Sequence, residues 1–236
     1  MRRDLLVKGY HALMSSFNPL LWYRFTATSG TTVANRGSVA SQDGTVTNPA
    51  EAVVGADGLL GASEGINFSG ADGYVVVATN AAISAIIDYT IIALINPIDA
   101  PSVSGRIMDH SDRWFLNVLA NGAVQGKQRR GSNLTNSDVT TGAGVIPFPT
   151  ARLALAMTYD EARALRLWRP TVSRANLLAT SGGSGSTDTA ETTILIGNAA
   201  AGNRGFDGVI DEVAFIEGYV GERDLVRVAK AARIMT

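Results

Sequence analysis

Asp211 and Glu212 are adjacent acids inside the alternating run Val209–Ile216. On a regular strand, neighbours face opposite ways, so these carboxylates do not converge as an acid–base pair. One of them faces the interior, where a carboxylate needs a partner such as backbone amides or Arg24. The stretch Asp109-His110-Ser111-Asp112 has the residue types of a hydrolytic triad. Three neighbours on one turn cannot take up a triad's geometry, and a solvated loop is the simpler reading. No Glu-x-Asp-x-Glu or Asp-x-Glu pattern puts two acids on one strand face, the arrangement in which a glycosidase pair about 5–9 Å apart would be sought. Lys127, Arg129 and Arg130 form a small basic run suited to an acidic partner or a phosphate, or to a solvated strand end. Trp114 and Trp168 could stack on the C–H faces of sugars, although each lies on an alternating strand and also suits a core. Trp22 reads as core.

Cysteine is absent, which excludes disulfides, zinc–thiolate sites, iron–sulfur clusters and cysteine nucleophiles. His11 and His110 are the only histidines, so a two-histidine metal site would need both. Net charge is −1, which gives no global field toward nucleic acid or an acidic membrane. With 46% apolar and 17% charged residues, the 236-residue chain can build a large core and suits one all-β domain. The longest apolar runs, such as Ile91–Ile95, are strand-sized and short of the ~20 residues a membrane helix needs. Asp4, Lys8 and His11 break up the N-terminal segment, so a chain made in the cytoplasm without a cleaved signal peptide is expected.

The elements that would position these residues are mostly strands. Short apolar runs alternate with clusters rich in Gly, Ser, Thr and Asn, such as Ser69-Gly70-Ala71-Asp72-Gly73. Leu153, Leu155, Met157 and Tyr159 alternate with smaller or polar neighbours. Val209, Asp211, Val213 and Phe215 are expected to share one face. Tyr89–Ile95 is apolar on both faces and suits a central buried strand. Asn121-Gly122 signals a hairpin after Trp114–Leu119. Leu225, Val228, Ala229 and Ala232 recur at helical spacing, with acids early and bases late. Residues 4–16 suit either a short amphipathic helix, with Leu5, Leu6, Tyr10 and Leu13 on one side, or a frayed arm. The Ser/Gly run 181–186 reads as a long loop within one domain.

In order, these segments resemble the laminin-G-like jelly rolls of the concanavalin A-like lectin/glucanase superfamily, from about residue 19 to 232. The resemblance rests on Leu20-Leu21-Trp22-Tyr23-Arg24-Phe25, Gly65–Val77, Tyr89–Pro97, the pair Ala154–Asp160 and Leu165–Trp168, and Ile194–Asn198 followed by Phe206–Phe215. The chain departs from the pattern at Ala151-Arg152-Leu153, where a Trp-His pair is usual, at Arg169-Pro170, where an Asp-Gly turn is usual, and at Asn35, where Asp is frequent.

The resemblance implies an all-β, concanavalin A-like β-sandwich (jelly roll), with a short N-terminal arm over residues 1–18, a jelly-roll domain over 19–236 and a C-terminal helix. It also implies a structural calcium held by Asp211 with main chain near Asp43-Gly44, so that Gly44 would be a ligand position. The expected activity is non-catalytic. One reading is a structural or attachment subunit of a larger assembly, such as a virion decoration or fibre protein, with protein partners and a homo-oligomeric state. Its assembly contacts would be Leu5, Leu6, Tyr10 and Leu13. The alternative is a glycan-binding module, contacted through Trp114, Lys127, Arg129 and Arg130.

Overall fold

The computed structural model describes residues 2–26, 31–56, 64–78, 80–110, 113–130, 135–149, 152–160, 164–182, 193–199 and 201–233. Within them, two antiparallel sheets pack face to face as a jelly-roll sandwich. The first sheet runs β14 (Ala175–Ser181), β13 (Ala164–Pro170), β12 (Leu153–Asp160), β7 (Tyr89–Pro97), β16 (Asp207–Glu217), β5 (Ile66–Ser69), β4 (Ala52–Val54). The long strand β16 is shared along that edge: β5 pairs with its first half and β1 (Leu21–Tyr23) with its second. The second sheet runs β11 (Thr135–Thr140), β10 (Val124–Arg130), β9 (Trp114–Leu119), β8 (Ser104–Asp109), β15 (Ile194–Ile196), β6 (Tyr74–Val77), β3 (Gly44–Thr47), β2 (Thr32–Val33). Three helices are described: α1 (Arg2–Ser16), α2 (Ala81–Ser84) and α3 (Glu222–Ala231). None is long and apolar enough to cross a membrane.

Strand β7 explains its own composition. Ile91, Ala93 and Ile95 point between the sheets, while Ile92 and Leu94 point to the other side of the first sheet, and all are buried. Both faces of β7 therefore need apolar side chains, at ~1.5–3 kcal/mol for each large one fully buried. The outward face of the first sheet is closed by α1 and α3. Leu225, Val228, Ala229 and Ala232 of the α3 segment share a cluster with Trp168 and with Ala154, Ala156, Ala175 and Ala214, four small side chains that let the helices approach the sheet. Glu222 and Asp224 in the first turn and Lys230 in the last complement the α3 dipole.

Helix α1 belongs to the same cluster. Tyr10 and Met14 are buried against the sandwich together with Trp22, and Val7, Leu13 and Phe17 pack partly on it. The N-terminal segment is thus part of the folded unit and not a free arm ending at residue 18. Tyr10 in particular has no surface left for a second molecule. The side chains of Leu5 and Leu6 lie outside the described residues, as does most of the Ser/Gly run.

One strand departs from simple alternation. The register of β16 against β7 slips between Ile210 and Glu212, which makes Asp211 the extra residue of a bulge. Ile210, Val213 and Phe215 then face the inter-sheet core, and Ala214 and Ile216 face the helices. The shared face expected for Val209, Asp211, Val213 and Phe215 is corrected by that insertion.

Candidate functional site

With the helices on the first sheet, the outward face of the second sheet is the broad strand surface that carries neither α1 nor α3. On β9, Trp114, Leu116 and Val118 point into the core, so Phe115 and Asn117 point outward. The hairpin register pairs Lys127 with Phe115 and Gln125 with Asn117, which places Lys127 and Gln125 on the same outward face, and alternation adds Arg129. On β8 a second bulge between Arg106 and Met108 brings Arg106 opposite Asn117 and Asp109 opposite Phe115.

The resulting cluster has a closed centre and an open flank. The Arg106 guanidinium carbon lies 3.4 Å from the centroid of the Phe115 ring, and Arg106 Nε is 3.1 Å from Asp109 Oδ2. Arg106 is only 2% exposed, so this ion pair and the cation–π contact replace its lost hydration. Lys127 Nζ approaches the same ring at 5.7 Å. Asn117 is fully buried; its Nδ2 donates to Gln125 Oε1 at 3.4 Å, while its Oδ1 has no hydrogen-bond partner among the described residues. An unmet buried acceptor costs about 1–3 kcal/mol. Gln125, Lys127 and Arg129 are half-buried, and Asp138 and Thr140 of the paired strand β11 are exposed. The flank can therefore offer cationic and amide donors together.

Of the contact residues expected from sequence, Lys127 and Arg129 are on this face. The Arg130 side chain lies outside the described residues. Trp114 does not belong to the face: it stacks on Phe215 with ring centroids 5.1 Å apart, inside the core. Trp168 is also internal, donating from Nε1 to Thr158 Oγ1 at 3.0 Å. Asp109 and His110 are buried and not part of a solvated loop, while Ser111 and Asp112 are outside the described residues. Arg106, Phe115 and Asn117 were not singled out from sequence. The alternation of Trp114–Leu119, with Trp114 taken as core, was the signal that could have found the last two.

Asp211 and Glu212 lie on the other side of the molecule, under α1. Glu212 Oε2 accepts from Trp22 Nε1 at 2.8 Å, and Oε1 faces His11 Nε2 at 3.1 Å and Arg24 Nε at 3.5 Å. Arg24 also reaches Glu64 at 3.3 Å. Burial raises the Tyr10 pKa well above its ordinary value, and Glu212 and then Asp211 push it further, against Arg24. Both carboxylates thus act on the same phenol: the bulge removes the opposition of faces expected for neighbours. The cluster is enclosed, with Glu212 joining β1, β16 and α1.

The calcium expectation does not fit this arrangement. A side chain at Gly44 would meet Val75, Val33 and Tyr23 between the sheets, whereas Asp211 lies at the helix-covered side of the first sheet. The Asp43 carboxylate accepts from the Asn35 amide at 2.9 Å, and Asn35 itself bridges Trp22, Gly37 and Val39. Asn35 thereby organises the opening loop with hydrogen bonds. No group of three His, Cys, Asp or Glu residues suited to a metal occurs among the described residues.

A two-sheet jelly roll with one helix-covered face and one polar face is a lectin-type scaffold. The chain belongs to the concanavalin A-like lectin/glucanases superfamily, whose laminin-G sequence profile matches residues 69–222. No curated protein matches it by sequence. Among solved structures it is similar to the CBM40 of the Ruminococcus gnavus IT-sialidase bound to α2,3-sialyllactose, at 15% identity and TM-score 0.53, over 63% of this chain and 85% of that one. It is also similar to the botulinum neurotoxin serotype D binding domain, at 10% identity and TM-score 0.67, over 92% of this chain and 52% of that one. A structure described for botulinum neurotoxin type C, whose cell entry depends on two ganglioside molecules, matches at 11% identity and TM-score 0.66, over 93% and 53%. The chain spans about half the length of these toxin chains, and at such identities the likeness is one of fold.

Proposed function

We propose that the chain is a non-catalytic module that binds an acidic glycan along β10, on the open face of the second sheet. The observation that carries this reading is the joint placement of the half-buried Lys127, Arg129 and Gln125 on a face that holds neither α1 nor α3. Lys127 and Arg129 would meet the sugar carboxylate in charge-assisted hydrogen bonds, and the Gln125 amide would meet its hydroxyls. Phe115 supports this from below but is covered by Arg106, so the binding relies on polar contacts more than on ring stacking. Solved relatives in fold that were bound to sialyllactose or depend on gangliosides support the choice of an acidic sugar. On this face the described carboxylates of β8–β11 are Asp109, tied to Arg106, and the exposed Asp138. That arrangement lacks the free facing pair that glycoside hydrolysis uses.

A particle-decorating or attachment role would draw support from an exposed α1. With Tyr10 and Met14 packed inside the chain, Tyr10 is withdrawn from that role, and glycan recognition is the reading retained.

Calorimetric titration tests it. α2,3-Sialyllactose is expected to bind, lactose to bind at least tenfold more weakly, and Lys127→Ala or Arg129→Ala to cost about tenfold each, the equivalent of ~1.4 kcal/mol per lost contact. Equal binding of lactose and sialyllactose, or sialyllactose binding that survives both substitutions, refutes the site. No binding of either sugar refutes the reading.

A further inference from the structure

On the opposite side of the sandwich, α3 and the β13–β14 turn line an open groove of about 640 Å³. That volume is within the range of small-molecule sites. Its walls carry four cations, Arg174 from the turn and Arg223, Arg227 and Lys230 from the helix, against one anion, Glu222. The helical cations follow i, i+4, i+7 spacing on the face away from Leu225, Val228 and Ala229. We propose that this groove binds a small anion bearing two or more phosphate or sulfate groups.

Three observations carry the inference. The charges are largely unspent: Arg227 pairs with Asp224 at 2.7 Å, while Arg174, Arg223 and Lys230 have no ion-pair partner among the described residues. The placement of Arg223 is also unfavourable for the helix alone. Arg223 is in the first turn, where the dipole disfavours a cation, and it stands one turn from Arg227, a like-charge neighbour. A chain of net charge −1 offers no general excess of cations to explain the cluster. Finally, the turn is held in place. Thr171 N donates to Arg174 O at 2.8 Å, Arg174 N donates to Thr171 Oγ1 at 3.3 Å, and Ser173 Oγ lies 3.2 Å from the same hydroxyl. Arg174 is thus presented from a fixed loop across the groove from a fixed helix.

The chemistry of the walls selects the ligand. A guanidinium fork matches the oxygens of phosphate and sulfate two at a time. A single carboxylate would leave most of the charge unmet, so two or more oxyanion groups are required.

The test is calorimetry on the full chain with two probes, inositol hexakisphosphate and a sulfated disaccharide. Binding of either is expected, weakening at least tenfold between 50 mM and 500 mM salt. Arg174→Ala and Arg223→Ala are each expected to weaken it at least fivefold, with unchanged circular dichroism. Stronger binding of the first probe identifies a phosphorylated ligand, and of the second a sulfated sugar. Binding of neither probe, or binding indifferent to both substitutions, overturns the inference. Sialyllactose titration of Arg174→Ala keeps the two sites apart: that variant should lose the polyanion and retain the sugar on β10.

Discussion

Replacing Glu212 by Gln keeps the volume of the side chain and removes the charge at the junction of β1, β16 and α1. The amide oxygen can still accept from Trp22 Nε1, but that bond loses its charge assistance. The amide nitrogen then stands where Oε1 faced His11 Nε2 and Arg24 Nε, and Arg24 cannot accept a hydrogen bond. Hydrogen bonds to charged groups contribute about 1.5–3 kcal/mol and neutral ones about 0.5–1.5. Weakening the Trp22 bond and losing the attraction of Arg24 therefore amount to roughly 2–4 kcal/mol. Relief from burying a carboxylate acts the other way. It does not win here, because the Arg24 guanidinium stays in place after losing the facing charge. Against a typical total of about 5–15 kcal/mol the loss is large. Urea unfolding at pH 7, followed by tryptophan fluorescence, measures it: the midpoint should fall at unchanged m-value. A loss below about 0.5 kcal/mol, within the range of an ordinary surface substitution, would show that Glu212 is not the junction described.

Deleting residues 2–16 removes the burial of Tyr10 and Met14, about 3–6 kcal/mol gross at 1.5–3 for each side chain, and uncovers Trp22. The shortened chain should melt well below the full one, and an unchanged melting curve would return α1 to the status of a free arm. Tyr10 and Tyr89 have pKa values raised mainly by burial, and Tyr23 likewise with help from Asp43. All three are held neutral in the fold above the pH at which they ionise in the unfolded chain. Their contribution is complete below pH ~10 and is lost as pH rises beyond it, at about 1.4 kcal/mol per pH unit for each tyrosine. Phenolate absorbance from these residues should therefore appear only as the chain unfolds in alkali, and ionisation near pH 10 without unfolding would contradict their burial.

The two-sheet architecture was legible in the sequence because short apolar runs, several with period-two alternation, recur between turn clusters along the chain, so no single misplaced residue could hide it. The buried strand Tyr89–Pro97 and the amphipathic helix Glu222–Ala231 were equally plain. The site was less legible, and its failures share one physical cause. Alternation assigns faces only until a residue is inserted, and each insertion swaps every later side chain to the other face. A two-residue Asn121-Gly122 turn would pair Lys127 with Leu116 and set Trp114 on the basic face. The turn spans Ala120, Asn121 and Gly122, with Leu119 N donating to Ala123 O at 2.8 Å, and so Lys127 pairs with Phe115 while Trp114 turns inward. The bulge after Arg106 puts Arg106 and Asp109, three residues apart, on the same side of β8. The bulge at Asp211 gathers two carboxylates that a regular strand would separate. Bulges and turn lengths are decided by contacts across strands, which the local pattern of one strand does not contain. The basic groove escaped for a related reason. Arg223, Arg227 and Lys230 are an ordinary solvated helix face until the turn carrying Arg174, some fifty residues earlier, is folded against them.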